Sequence, residues 1–202
     1  MQKIVLIIFG LTLAFSVSAK ESIRGHYQLV GSIPTAHSVS KVVFEEFMNF
    51  GCPHCNRLHK ASKDFRKKFA EKVEFIDIPI VFRGQDDSPL RLYYVARKIG
   101  KGKLIKDELF KASFIHGVNV FDPGITNYLA RSLGINKEYQ QEKDQAWVNK
   151  LIKEGERKSA IYGVTGTPTV VIQHSLKMDI SPYGTMSEFV KQVPETIADL
   201  MQ

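Results

Sequence analysis

The stretch Asn49-Phe50-Gly51-Cys52-Pro53-His54-Cys55 decides how this chain folds. It contains both cysteines of a 202-residue sequence, with two residues between them. Upstream lies an apolar, β-prone run, Val42-Val43-Phe44, followed by Phe47 and Phe50. Downstream, from Pro53 to about Ala70, Leu58, Ala61, Phe65 and Phe69 recur at helical spacing among basic residues. That pattern predicts a strand over 41–49 running into a helix whose first turn carries both thiols.

The spacing has chemical consequences. A disulfide needs Cα atoms roughly 4.4 to 6.8 Å apart. Residues i and i+3 of a helix lie about 5 to 6 Å apart on one face. Cys52 and Cys55 can therefore close a disulfide and reopen it with little backbone movement. Pro53 suits the first helical position, where its missing N–H costs no bond, and this sets Cys52 at the N-cap. There the free N–H groups and the helix dipole favour an anion, here a thiolate, which is the reactive form. His54, hydrogen-bonded or protonated near the sulfur, would stabilise the thiolate further. A stabilised thiolate favours the reduced form and makes the disulfide a stronger oxidant. Two other uses of the motif stand beside the redox one. A zinc site needs two more ligands, which histidines would have to supply, since no other cysteine exists. A structural staple closing so short a loop removes little chain entropy. No metal is expected.

With 44% hydrophobic residues the chain can bury a substantial core. Its formal charge is +7, but lysines and arginines alternate with acids along helix-like stretches and are not interleaved with aromatics, which argues against a nucleic-acid interface. Lys3 precedes an apolar run from Ile4 to Val17, and small residues lead up to Ala19. This reads as a secretory signal peptide over 1–19, cleaved after Ala19, because the run is shorter than the roughly 20 residues of a spanning helix. Export fits an oxidising compartment.

Further along, Tyr27 to Val30 suggests an edge strand and 72–82 a second core strand ending near Pro79. Strand, helix, strand is a βαβ unit with a parallel pair. On alternation, Glu46 shares a face with Phe44 and Met48 and points inward. It is either a strand-edge carboxylate reaching water or a functional buried acid, placed to move the proton of Cys55. Residues 88–162 read as helices over 89–99, 103–114, 123–133 and 137–160, punctuated by glycines. After Gly163, Thr165-Gly166-Thr167-Pro168 leads into a strand, a short hairpin follows, and a final helix spans 185–201 with an irregularity at Pro194. The expected architecture is α/β: residues 20–87 and 163–202 form one unit, and 88–162 a helical insertion.

These features together resemble the DsbA family of thioredoxin-fold thiol:disulfide oxidoreductases. The segment Glu46 to Cys55 is similar to the family's active-site strand and Cys-Pro-His-Cys motif, and Val164 to Pro168 to its cis-proline loop. The resemblance implies a thioredoxin fold with a helical domain inserted between its βαβ and ββα halves. It implies that Cys52 is the exposed nucleophile and Cys55 its buried partner, and that their disulfide is donated to reduced, unfolded exported proteins through a mixed disulfide at Cys52. Pro168 would be cis and hold the Thr167 backbone beside Cys52, where extended substrate can pair. Pro53, His54 and Glu46 would tune the thiols and move protons. The redox-active disulfide would need no further cofactor, a DsbB-like membrane protein would reoxidise it, and the protein would reside in the periplasm.

Two residues depart from the family pattern. Thr167 stands where the best-known oxidases carry valine, and His59 where many relatives have an acid. Threonine before the proline is similar to disulfide isomerases and reductases, which gives a second enzymatic reading. The chain leaves no room for an isomerase's dimerisation domain, so a monomer is expected. A reading from another class is a peptide-binding chaperone whose thiols are incidental.

Overall fold

The structure, a computed structural model, describes residues 23–31, 38–178 and 180–202. The expected signal peptide lies outside the described residues. Five strands form one mixed sheet: β1 (Tyr27–Leu29), β2 (Val42–Met48), β3 (Val73–Pro79), β4 (Thr169–Ile172) and β5 (Leu176–Met178), in the order β1-β5-β4-β2-β3. β2 pairs parallel with β3, from Val42 opposite Val73 to Met48 opposite Pro79, and antiparallel with β4 on its other side. Its neighbours on both edges and its near-continuous burial explain why it reads as an apolar run. Proline ends β3, an edge strand, and the ladder to β2 passes it by through the Ile80 N–H to Met48 O at 2.8 Å.

Two helices connect β2 to β3: α1 (Pro53–Ala61) and α2 (Lys63–Lys68). The sequence reading has one helix here. The chain instead bends at Ser62, whose N–H still bonds Leu58 and whose carbonyl accepts from Arg66, so the helical ladder continues on both sides of a local break.

Between β3 and β4 come five helices: α3 (Ser88–Lys98), α4 (Gly102–Phe114), α5 (Pro123–Ser132), α6 (Asn136–Glu142) and α7 (Ala146–Ile161). The first three match the periodicity closely. The single helix expected over 137–160 is two. Gln145 adopts an extended backbone between α6 and α7, and the turn lets the Trp147 indole N–H bond the Glu142 carboxylate at 2.7 Å. Side-chain pairing across a turn outweighs helical propensity here, with no glycine or proline to mark it. The final helix, α8 (Met186–Leu200), runs unbroken through Pro194. Thr185 caps it by accepting from the Glu188 N–H, the first half of a Thr-x-x-Glu capping box.

Apolar side chains form two main clusters. One packs α1, α8 and the sheet through Phe44, Leu58, Val170, Phe189 and Ile197. The other fills the helical region around Leu92, Leu109, Phe110 and Tyr139, and reaches back to Met48, Phe50 and Cys55. The end of β2 and the first turn of α1 therefore lie where the helical region meets the sheet.

Candidate active site

Asn49 builds the turn between β2 and α1. Its side-chain carbonyl accepts from the Gly51 N–H at 2.9 Å, and its amide donates to Ile80 O at 2.9 Å and to Gln85 Oε1 at 2.8 Å. This is a local Asx-type turn anchored to the end of β3. Gly51 sits against Phe121: a Cβ there would come within 2.7 Å of the Phe121 ring. Close packing from the helical region thus requires glycine beside the first cysteine.

Cys52 is the N-cap of α1, and its sulfur accepts from the Cys55 N–H at 3.4 Å. When protonated, the Cys52 thiol donates to Thr167 O at 3.1 Å. The Thr167–Pro168 peptide bond is cis, as expected for the family. Cys55 is fully buried, with the Asn49 N–H 3.4 Å from its sulfur. One thiol is half-exposed and the other enclosed.

Their electrostatics differ accordingly. The Cys52 thiol is lowered from an ordinary 9.0 to about 5. A hydrogen bond from the Cys55 side chain contributes most. Partial burial opposes it, and the Thr167 side chain and the N–H groups of Cys55 and His54 add to it. Cys55 is pushed strongly up, first by burial and then by its hydrogen bond to Cys52. One sulfur is thereby a thiolate at neutral pH while the other keeps its proton.

The remaining residues singled out from sequence fall as follows. Pro53 occupies the first turn of α1. The His54 ring turns outward, its Nδ1 accepting from Arg57 Nη2 at 2.8 Å, so its main-chain N–H is what faces the Cys52 sulfur. A groove of about 570 Å³ runs past this turn, lined by His54, Arg57, Thr167, Pro168 and Met186 among others. Glu46 points inward and is fully buried. It binds Arg66 and, at 3.4 Å, Lys106, while its Oε1 is buried without a hydrogen-bond partner. His59 stacks on Phe110 and bonds Asp107 at 2.6 Å; burial, aided by the nearby Lys106, lowers its pKa below the ordinary value.

Sequence reasoning missed the partners of Glu46. Arg66 also bonds Asp77 at 2.8 Å, and Lys106 approaches Asp77 at 3.0 Å. Burial raises the Asp77 pKa, but Lys106 and Arg66 outweigh it and hold the carboxyl far below its ordinary value. These four residues come from β2, α2, β3 and α4, with no shared local pattern. Asn49, expected as the last residue of the strand, is the turn residue, and its Asn-x-Gly spacing was the available signal.

Comparison with known proteins agrees with this geometry. The thioredoxin family profile matches residues 33–192. The chain is 27% identical over 216 residues to the thiol:disulfide interchange protein DsbA of Escherichia coli K12, covering 100% of this chain and 99% of that one. It is 25% identical over 193 residues to the protein of the same name from Pseudomonas syringae pv. tomato, covering 95% and 89%. Among solved structures, DsbA of Pseudomonas aeruginosa superposes with a TM-score of 0.74 at 17% identity, over 90% of this chain and 95% of that one. DsbA of Xylella fastidiosa gives 0.71 at 19%, over 81% and 90%. This chain belongs to the thioredoxin family, in its DsbA branch of protein thiol:disulfide oxidoreductases.

Proposed function

We propose that the protein donates the Cys52–Cys55 disulfide to reduced, folding exported proteins in the periplasm. The observation that carries this reading is the asymmetry of the pair: a Cys52 thiolate favoured down to about pH 5 beside a Cys55 thiol held protonated by burial. Stabilising the thiolate stabilises the reduced form, so the disulfide gives up its bond readily.

A substrate thiolate attacks the Cys52 sulfur. A substrate–Cys52 disulfide forms, the Cys52–Cys55 bond breaks, and Cys55 leaves with the electron pair and takes a proton. A second substrate thiolate then attacks the substrate sulfur of the mixed disulfide, and Cys52 leaves as its stabilised thiolate. Two electrons pass from substrate to the cysteine pair, with no further cofactor. Extended substrate pairs alongside Thr167 and Pro168 in the groove. Glu46, buried with one unpartnered oxygen, is the group we assign to supplying the proton that Cys55 takes up. A membrane re-oxidase restores the disulfide.

The test is the reduction potential of the pair, measured by equilibration with glutathione buffers. Relative to a thioredoxin thiol near 7, a thiolate near 5 stabilises the reduced form by about 2.7 kcal/mol, or roughly 60 mV. A potential at or above about −210 mV, the thioredoxin value raised by that amount, supports donation. One at the thioredoxin value of about −270 mV overturns it in favour of a reductase.

A further inference from the structure

Away from the cysteines, α2, β3, α3 and α4 enclose a cavity of about 680 Å³. Six lysines and arginines line it, against two carboxylates, Asp64 and Asp77. Four of the cations are already matched. Arg66 and Lys106, on its floor, hold Glu46 and Asp77, while Lys63 and Lys103 reach Asp107 at 3.4 and 2.9 Å. Among the described residues, Lys67 and Arg97 have no ion pair. Arg97 instead lies over the rings of Tyr93 and Tyr94, 5.9 and 5.0 Å from their centroids.

The cavity wall also includes Gly102, the first residue of the 13-residue helix α4, whose N-cap residue Lys101 offers no side-chain cap. Gly102 is buried against Arg97, and a Cβ there would come within 3.1 Å of the Arg97 backbone. Uncapped N–H groups and the positive end of the helix dipole add to the same field. On the floor, the buried Arg66 Nε has no hydrogen-bond partner. Two cations without an ion pair, beside an uncapped helix N-terminus, suit an anion that carries more than one charge, as a phosphate does.

We propose that this cavity binds a phosphate-bearing ligand, either a soluble phosphorylated molecule or a phospholipid headgroup. Lys67, Arg97 and the N-terminus of α4 receive the anion, above the Arg66 and Lys106 floor that holds Glu46.

Calorimetric titration of the mature protein with inorganic pyrophosphate at low salt tests this. Saturable binding is expected, weakened at least tenfold in a Lys67→Gln/Arg97→Gln double variant and tightened by Asp64→Asn. A Lys150→Gln/Lys153→Gln variant removes the same charge from the exposed face of α7 and should bind as wild type. If that control loses affinity equally, binding reflects net charge alone and the site is overturned, as it is if pyrophosphate does not bind at millimolar concentration. Competition by phosphatidylglycerol vesicles but not by phosphatidylcholine vesicles would assign the headgroup as the source; absence of competition would assign a soluble phosphate.

Discussion

Glu45 and Glu46 are neighbours on β2, both fully buried, and face opposite sides of the sheet. Glu45 is bonded by Lys158 at 2.5 Å, by the Tyr162 hydroxyl at 3.2 Å and by His174 Nδ1 at 2.9 Å. Both of its oxygens are used, and it ties the sheet to the end of α7 and to the β4–β5 turn. Glu46 sits with Asp77 between Arg66 and Lys106 and leaves one oxygen unpartnered. The same residue type, buried to the same degree on one strand, is a fully satisfied tie on one face and an unfinished charge network on the other. A buried carboxylate is costly unless partnered, and the unpartnered Glu46 oxygen is the observation behind the proton role proposed for it.

Breaking each network should separate the two faces most clearly in stability. Arg66→Ala leaves Glu46 and Asp77 to share Lys106 as their one cation, with the Tyr93 hydroxyl on Asp77, and should cost about 3–5 kcal/mol in urea unfolding. Lys158→Met leaves Glu45 with two donors and should cost only about 1–3 kcal/mol. Equal losses would mean that the two faces are energetically alike. The Arg66 variant should also unfold at higher pH on acidification. Asp77 has a folded pKa below its unfolded one, so its contribution is full above the ordinary carboxylate range and is lost as pH falls through the folded value. Weakening the ion pairs brings that loss to higher pH.

Chemistry should then discriminate between the glutamates. Glu46→Gln is expected to slow thiol–disulfide exchange about a hundredfold and flatten its pH profile, the lower end of general acid–base effects. Glu45→Gln should leave the rate within about twofold. An unchanged rate in Glu46→Gln would remove the proton role and leave Glu46 as structure.

A smaller effect concerns the thiolate itself, which neither glutamate contacts. Ultraviolet titration of Cys52 should give a midpoint near 5, unchanged by Glu45→Gln and raised by about one unit in Thr167→Val, which removes a hydroxyl that lowers it. The sign carries to stability. Because the folded thiol titrates below its ordinary 9.0, the reduced form's advantage over the oxidised form is full above that value and disappears as pH falls through about 5. The smallest expected change is His174→Ala, which removes one partly exposed donor from Glu45 and should cost about 1 kcal/mol in thermal unfolding.

Much of the redox centre was legible in the chain because its logic is local. Cys52, Pro53 and Cys55 occupy one helical turn, and the apolar run of β2 and the Thr-Pro pair before β4 announce their elements by period and by proline. The broken helices were not legible. The bend at Ser62 leaves its ladder nearly intact, and the turn at Gln145 follows a Trp147–Glu142 contact that propensity does not encode.

Sequence alone determined the active-site motif, the order of strands and helices, and the inward direction of Glu46, since each follows from periodicity or from residues within a few positions. Tertiary structure alone decided that Glu45 is equally buried, that Arg66, Asp77 and Lys106 surround Glu46, and that Lys67, Arg97 and Gly102 face one cavity. Those groups lie up to 60 residues apart for Glu46 and Lys106. Charge pairing across such distances is selected by packing of the sheet against the helices, not by any local pattern in the chain.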